Sequence, residues 1–290
     1  NTKIKKKTNL EKYYKIKVVN DYKSALKIKP NLTFICNPSS MHLIDAIRFA
    51  KINSHLFIEK PLGRSKKQEK KLSNILKKNK LISMVGYQSR YHPLVKKIKN
   101  ILKKNEFGKI VHVNVNHLTY LPHHHKYENY SDSYAAQKKL GGGVIGGLIH
   151  EIDLIAYFFG LPYSYQTIKK NSGHLKINCE DNFISLMKFK KKENKFSLFL
   201  RLSYSHQKEE RNISIFFEKA VLILCFNKNE IKIYSNKKKF NKTFKISLKR
   251  NFMFLQQLKV LKKSLLLKKN PETSIDNNHI TQKLFHRLSK

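Results

Sequence analysis

Across the first 88 residues, short apolar runs alternate with amphipathic stretches of about a dozen residues, the pattern of a parallel sheet wrapped by helices. The spacing predicts strands at Ile16–Val19, Leu32–Cys36, His55–Ile58 and Ile82–Tyr87. Between them it predicts helices at Tyr22–Ile28, His42–Ile52 and Lys66–Lys78. Ser40 is placed to cap the second helix, whose apolar face is Leu43, Ile44, Ile47 and Ala50. The third is rich in Lys, with Leu72, Ile75 and Leu76 turned inward.

Beyond a helix at Leu94–Lys104 and a turn at Gly108, the texture changes. Ile110–His117 alternates as a sheet strand does, with Val111, Val113 and Val115 on one side. A polar, aromatic loop runs to Leu140, and Gly141–Gly143 opens a helix at Ile145–Phe159. Strands then crowd together at Phe183–Phe189, Phe196–Ser205, Asn212–Phe217, Ala220–Cys225 and Glu230–Tyr234. A helix at Phe252–Leu267 follows, ended by Pro271. The fold class expected is α/β plus α+β: a parallel-sheet unit over residues 1–107, then a unit over 108–290 with a mainly antiparallel open sheet. Phe196, Leu198, Leu200, Leu202 and Tyr204 share one parity and hence one face. Helices cover one side of such a sheet, so its outer face is expected to meet a second copy, making the protein a homo-oligomer.

The formal net charge of +41 invites a nucleic-acid reading, but its make-up argues against a specific one. Arg occurs only at 48, 64, 90, 201, 211, 250 and 287, whereas Lys is spread from end to end with Asn and Ile beside it. Readers of nucleic acid depend on Arg for bidentate and stacked contacts. No run approaches the roughly 18 apolar residues of a membrane helix, and no apolar stretch follows Asn1-Thr2-Lys3-Ile4. Cys36, Cys179 and Cys225 lack metal-type spacing and are expected as reduced thiols, with Cys36 and Cys225 buried in strands. A cytoplasmic protein with no membrane partner is expected. His123-His124-His125 cannot easily point at one tetrahedral centre, so no metal is expected.

Four segments carry a family signature: CNPSSMH at 36–42, FIEKPLG at 57–63, VGYQSRYHP at 85–93 and LGGGVIGGLIHEIDLIAYFFG at 140–160. In order and spacing the sequence resembles the Gfo/Idh/MocA oxidoreductases over nearly its whole length. The segment 120–139 is similar to a branch found in surface-polysaccharide gene clusters, which implies a place in carbohydrate metabolism and polysaccharide biosynthesis. The resemblance implies a dinucleotide-binding Rossmann domain over 1–107 and a substrate-binding, oligomerising domain over 108–290. It also implies NAD or NADP as cofactor, and hydride exchange with the hydroxyl or ketone of a sugar or nucleotide sugar.

Lys60 directly follows a strand, where open α/β sheets place their ligands, and an ammonium there favours a developing alkoxide. Glu59 and Pro61 would fix its backbone, and the resemblance implies a cis bond before Pro61. His150, after three glycines, suits proton transfer from a hydroxyl, so Lys60 and His150 are the expected catalytic pair, converging on one cleft. Many family members carry an Asp four residues before this His; here the position is Gly146. The resemblance places Asn37, Pro38, His42, Glu59 and Lys60 on the cofactor side. Tyr87, Arg90, His92, Tyr134 and Asp153 are expected on the substrate side, with Arg90 able to grip an anionic group.

The family also implies a glycine-rich turn that holds the pyrophosphate on backbone N–H groups, yet the first glycine of this chain is Gly63. The resemblance starts just past the second strand, so about 30 residues are expected to be missing, with an apolar sheet edge exposed and dinucleotide binding weakened. The alternative reading is a non-catalytic remnant that binds carbohydrate or a protein partner.

Overall fold

The computed structural model describes residues 10–124, 127–235 and 240–290. After two short helices, α1 (Leu10–Tyr14) and α2 (Tyr22–Lys27), come β1 (Leu32–Ile35), α3 (His42–Lys51), β2 (His55–Ile58), α4 (Lys66–Lys78), β3 (Ser83–Val85) and α5 (Pro93–Lys104). β1, β2 and β3 form a parallel sheet in that order, with Leu32 opposite His55 and Leu56 opposite Ser83. α3 and α4 are the crossovers, burying Leu43, Ala46, Ala50, Leu72 and Leu76. The strand expected at Ile16–Val19 does not form. There the chain turns back on α1, with the Ile16 and Val18 N–H groups donating to Glu11, and both side chains stay exposed.

Two features of α3 differ from expectation. No side chain caps it: Met41, not Ser40, stands at the N-cap position, and the Ser40 N–H donates to the Leu140 carbonyl. Ile44 is exposed, because the buried arc instead takes in His42 and Asp45, whose polar atoms are engaged by the turns beside them. Cys36 lies one residue past β1 and is exposed, not buried as the sequence predicts; Cys225 is half-buried.

The larger sheet has eight strands in the order β11-β10-β9-β8-β4-β7-β6-β5. They are β4 (Ile110–Tyr120), β5 (Ser164–Lys170), β6 (Asn182–Lys191), β7 (Asn194–Ser203), β8 (Ser205–Phe217), β9 (Val221–Cys225), β10 (Glu230–Ser235) and β11 (Phe240–Lys245). Every pairing is antiparallel except that of β4 with β7. Val113 sits between Leu198 and Ile215, and Val115 between Leu200 and Ile213, all 1% exposed or less. Each such side chain contributes roughly 1.5–3 kcal/mol by leaving water. Val111 breaks this parity and is exposed, because a bulge between Ile110 and His112 inserts one residue and turns the side chain out.

The helix expected over Ile145–Phe159 is two, α6 (Val144–Gly147) and α7 (Ile149–Phe159), and the helical run Lys138–Gly147 meets α7 at a bend of 50°. The Lys60 ammonium donates to the Gly147 carbonyl at 3.0 Å, the acceptor that a continuous helix would give to the Glu151 N–H. The Glu151 N–H turns instead to the Leu148 carbonyl at 3.4 Å. Gly147 has to be glycine, since a Cβ there would fall on the Tyr204 hydroxyl. Among the described residues no single helix is long and apolar enough to cross a membrane.

Residues beyond 250 return to the first sheet. α8 (Phe252–Leu266) packs Leu261 against Phe57, Ile82 and Met84, on the sheet face opposite α3 and α4. The Thr273 carbonyl accepts from the Val85 N–H at 2.8 Å, and α9 (His279–Leu288) lies between α7 and α4.

Candidate active site

The turns that end β1 and β2 are locked together. The His42 imidazole lies 2.7 Å from both the Pro61 and the Asn37 carbonyls, and the peptide between Lys60 and Pro61 is cis. Glu59 accepts from the Lys60 N–H at 3.2 Å, and Gly86 packs so closely on its carboxylate that a Cβ would stand 3.0 Å from an oxygen. Asn37 donates to Asp45 at 2.6 Å, while its own side-chain oxygen is buried with no partner. Pro38 closes the turn by accepting from the Met41 N–H. Ser39 then reaches across to the Gly141 carbonyl at 3.2 Å, so the three glycines of the second unit dock on the first.

Lys60 and His150 meet here. Lys60 is held on Gly147, three residues before His150, and its charge acts on the imidazole. His150 is 8% exposed, its Nδ1 has no partner, and the Tyr87 ring stands edge-on to it with centroids 6.5 Å apart. Burial, reinforced by Lys60 and Arg211, holds the imidazole well below the usual histidine range, so it is an uncharged base at neutral pH. Gly146 leaves room: the nearest atoms to a Cβ there are the Gly141 carbonyl at 3.5 Å, Arg64 at 3.6 Å and Pro61 at 3.7 Å.

Other expected site residues go elsewhere. Arg90 is turned inward: it is 6% exposed and binds Asp153 through two nitrogens, at 2.9 and 2.6 Å, with Asn278 and Thr281 beside it. Asp153, fully buried, is consumed by the same pair. His92 caps α5 by accepting from the Leu94 N–H and turns its Nε2 to Asn229 at 3.1 Å. A lone sequence cannot distinguish an Arg facing a ligand from an Arg facing an acid on another helix. Tyr87 touches His150 but sends its hydroxyl to Gln282 at 3.4 Å. Tyr134 is half-buried near the Tyr204 phenol. His123 packs edge-on against Tyr120, His124 lies 2.8 Å from Thr119, and His125 lies outside the described residues.

Three polar residues beside His150, namely Glu151, His117 and Arg211, were given no role by the sequence reading. Glu151, 1% exposed, places one oxygen 2.8 Å from His117 Nδ1 on β4 and the other 2.6 Å from Arg211 Nε on β8. The signal was present: 117 and 211 continue the inward parity of Val113, Val115, Ile215 and Ile213, so each is a polar residue where an apolar one is expected.

Residues 1–87 match the model of an oxidoreductase family with an NAD-binding Rossmann fold, and residues 95–223 match the Gfo/Idh/MocA C-terminal domain. The chain belongs to the Gfo/Idh/MocA oxidoreductase family. A levoglucosan dehydrogenase of Pseudarthrobacter phenanthrenivorans is 29% identical over 128 residues, 43% of this chain. That match spans 32% of the relative's length. A solved levoglucosan dehydrogenase in complex with NADH and levoglucosan superposes with a TM-score of 0.82 at 14% identity, over 97% of this chain and 83% of that one. An aldose-aldose oxidoreductase from Caulobacter crescentus, complexed with glycerol, gives 0.82 at 15% identity over 99% and 86%. A UDP-N-acetylglucosamine 3-dehydrogenase from Acidithiobacillus ferrooxidans gives 0.76 at 14% identity over 97% and 84%. These likenesses extend the family's fold to nearly the whole chain.

Proposed function

We propose that this Gfo/Idh/MocA protein is an NAD(P)-dependent sugar dehydrogenase, acting on a secondary hydroxyl of a sugar or nucleotide sugar by hydride transfer. The observation that carries the reading is the Lys60 ammonium, from the first unit, bound to the Gly147 carbonyl three residues before the buried His150 of the second, at the broken helix. Buried and uncharged, His150 accepts the hydroxyl proton. Lys60, fixed on Gly147, sets a positive charge beside the oxygen as negative charge grows there. The carbon–hydrogen bond then breaks with its electron pair, leaving a ketone. When bound, the nicotinamide supplies the hydride acceptor. Asn37, Pro38, His42, Glu59 and Lys60 fit its nicotinamide end, and the unpartnered Asn37 oxygen, buried at the end of β1, is a vacant acceptor there. The second reading of the same fold is a carbohydrate-binding protein without turnover.

The test is reduction of NAD or NADP by a panel of aldoses, anhydrosugars, uronates and nucleotide sugars, with the ketone identified in the product. Turnover of one class supports the reading. Sugar binding with no turnover in either direction would replace it with the second.

The same reading places the protein in the cytoplasm, in polysaccharide biosynthesis, and as a homo-oligomer. The outer face of the larger sheet exposes Ile168, Ile184, Leu186 and Phe199, an apolar patch suited to a second copy. Light scattering at tens of micromolar is expected to give a dimer or larger; a monodisperse monomer would remove this assignment.

A further inference from the structure

Beyond the Lys60–His150 pair, the described residues hold a cluster to which the proposed chemistry gives no role: His117, Glu151 and Arg211. β4 and β8 place His117 directly opposite Arg211, and both point at the first turn of α7. Glu151 follows His150 on that helix, and its two oxygens are taken one by each partner, at 2.8 and 2.6 Å. Arg211 is fixed further by donating to Ser89 at 3.2 Å and by lying over the Phe226 ring, 4.2 Å from its centroid. The charged and titratable groups acting on His150 are Lys60 from the turn after β2, Arg211 from β8, His117 from β4 and Glu151 from its own helix, with the Tyr87 ring on the remaining side.

We propose that Arg211 and His117 are positioning residues for His150: by occupying both oxygens of Glu151, they keep the neighbouring imidazole free to accept a proton. The inference rests on the reading of His150 as the proton acceptor. An uncompensated carboxylate beside a buried imidazole stabilises the imidazolium, and an imidazolium cannot take a hydroxyl proton. A carboxylate already forked between a guanidinium and a second ring nitrogen exerts far less of that pull. The burial of Glu151, with His117 and Arg211 themselves largely covered, makes the compensation necessary, since little solvent is present to screen the carboxylate. The directions agree: Arg211 and His117 oppose a charge on His150, and Glu151 favours it.

The experiment is an NMR titration of the His150 imidazole in the full chain, which needs no substrate. Arg211→Gln is expected to raise its midpoint by about one pH unit, because a cation is lost and Glu151 is freed. Arg211→Lys, which keeps the charge, should return it to within a few tenths of a unit. Should Arg211→Gln not fold, His117→Leu strips the donor from the other Glu151 oxygen at an inward β4 position and is expected to move the midpoint the same way. In the turnover reaction, the acid limb of kcat/KM should rise in pH together with the midpoint. If the titration moves and the pH–rate profile does not, the cluster acts as stated but His150 is not the proton acceptor. A midpoint unmoved in the folded variants overturns the assignment and leaves the cluster a structural tie between β8 and α7, whatever the activity.

Discussion

Asp153→Asn is expected to lower the stability of the fold by about 3–5 kcal/mol, the usual result of removing one partner from a buried ion pair. Arg90 and Asp153 have side chains 7% and 0% exposed, and two Arg90 nitrogens bind the carboxylate. Burial works against the guanidinium's charge and Asp153 restores it, so the net direction of the Arg90 pKa is upward. With the carboxylate gone the guanidinium cannot escape by losing its proton, and its charge is left in the interior. Thr281, which donates to the same Asp153 oxygen at 2.9 Å, loses its charged acceptor as well. The pair joins the segment after β3 to α7 and to α9, so its loss loosens the two units from each other. Urea denaturation reads the effect, and the Arg90→Gln/Asp153→Asn double substitution should be less damaging than the sum of the singles. A single-variant loss under about 1 kcal/mol would show that the interior there is wetter than the geometry indicates.

Lys60→Ala is expected to reduce turnover roughly 100-fold or more while leaving sugar affinity within a few-fold. The ammonium is fixed before any substrate arrives, through the Gly147 carbonyl and the cis turn at Pro61, so its field is preorganised at the oxygen that becomes an alkoxide. Lys60→Arg should not rescue, because a planar fork cannot reproduce a point charge in this space. Steady-state kinetics on whichever sugar turns over decide it. A kcat within threefold of the parent would take Lys60 out of the chemistry and leave it a helix-breaking contact.

Much of this molecule is legible in its sequence because the signals are local. The apolar runs at Leu32 and His55, the Lys-rich amphipathic helix at Lys66–Lys78, and the GGG…HEID and EKP segments all declare themselves over a few residues. The two strands missed, β5 and β11, are the edges of the larger sheet. An edge strand needs no apolar face and benefits from lysines that discourage pairing with other chains, so SYQTIKK and FNKTFK carry no alternation to detect. The break at Leu148 was invisible for another reason. It depends on Lys60 reaching a carbonyl 87 residues away, and no local pattern encodes that. The partners of Arg90 and Arg211 were hidden on the same grounds. The first pairs with an acid 63 positions off and the second with one 60 positions off, and only the fold determines which carboxylate each meets.

The pairing of β4 with β7 and β8 bears on how the chain is made. β4 is the first strand of its sheet to leave the ribosome, yet both of its neighbours begin more than seventy residues later. At about 5–20 residues per second, the ribosome spends roughly 4–15 s on that interval. During it α7 can settle on Val113 and Val115, but both edges of β4 keep their backbone groups unpaired. The nascent chain therefore carries an apolar strand open on two sides, a target for holding chaperones and for wrong partners. β4 is enclosed on both sides only once residue 217 has emerged, although it is the first strand of its sheet to be made.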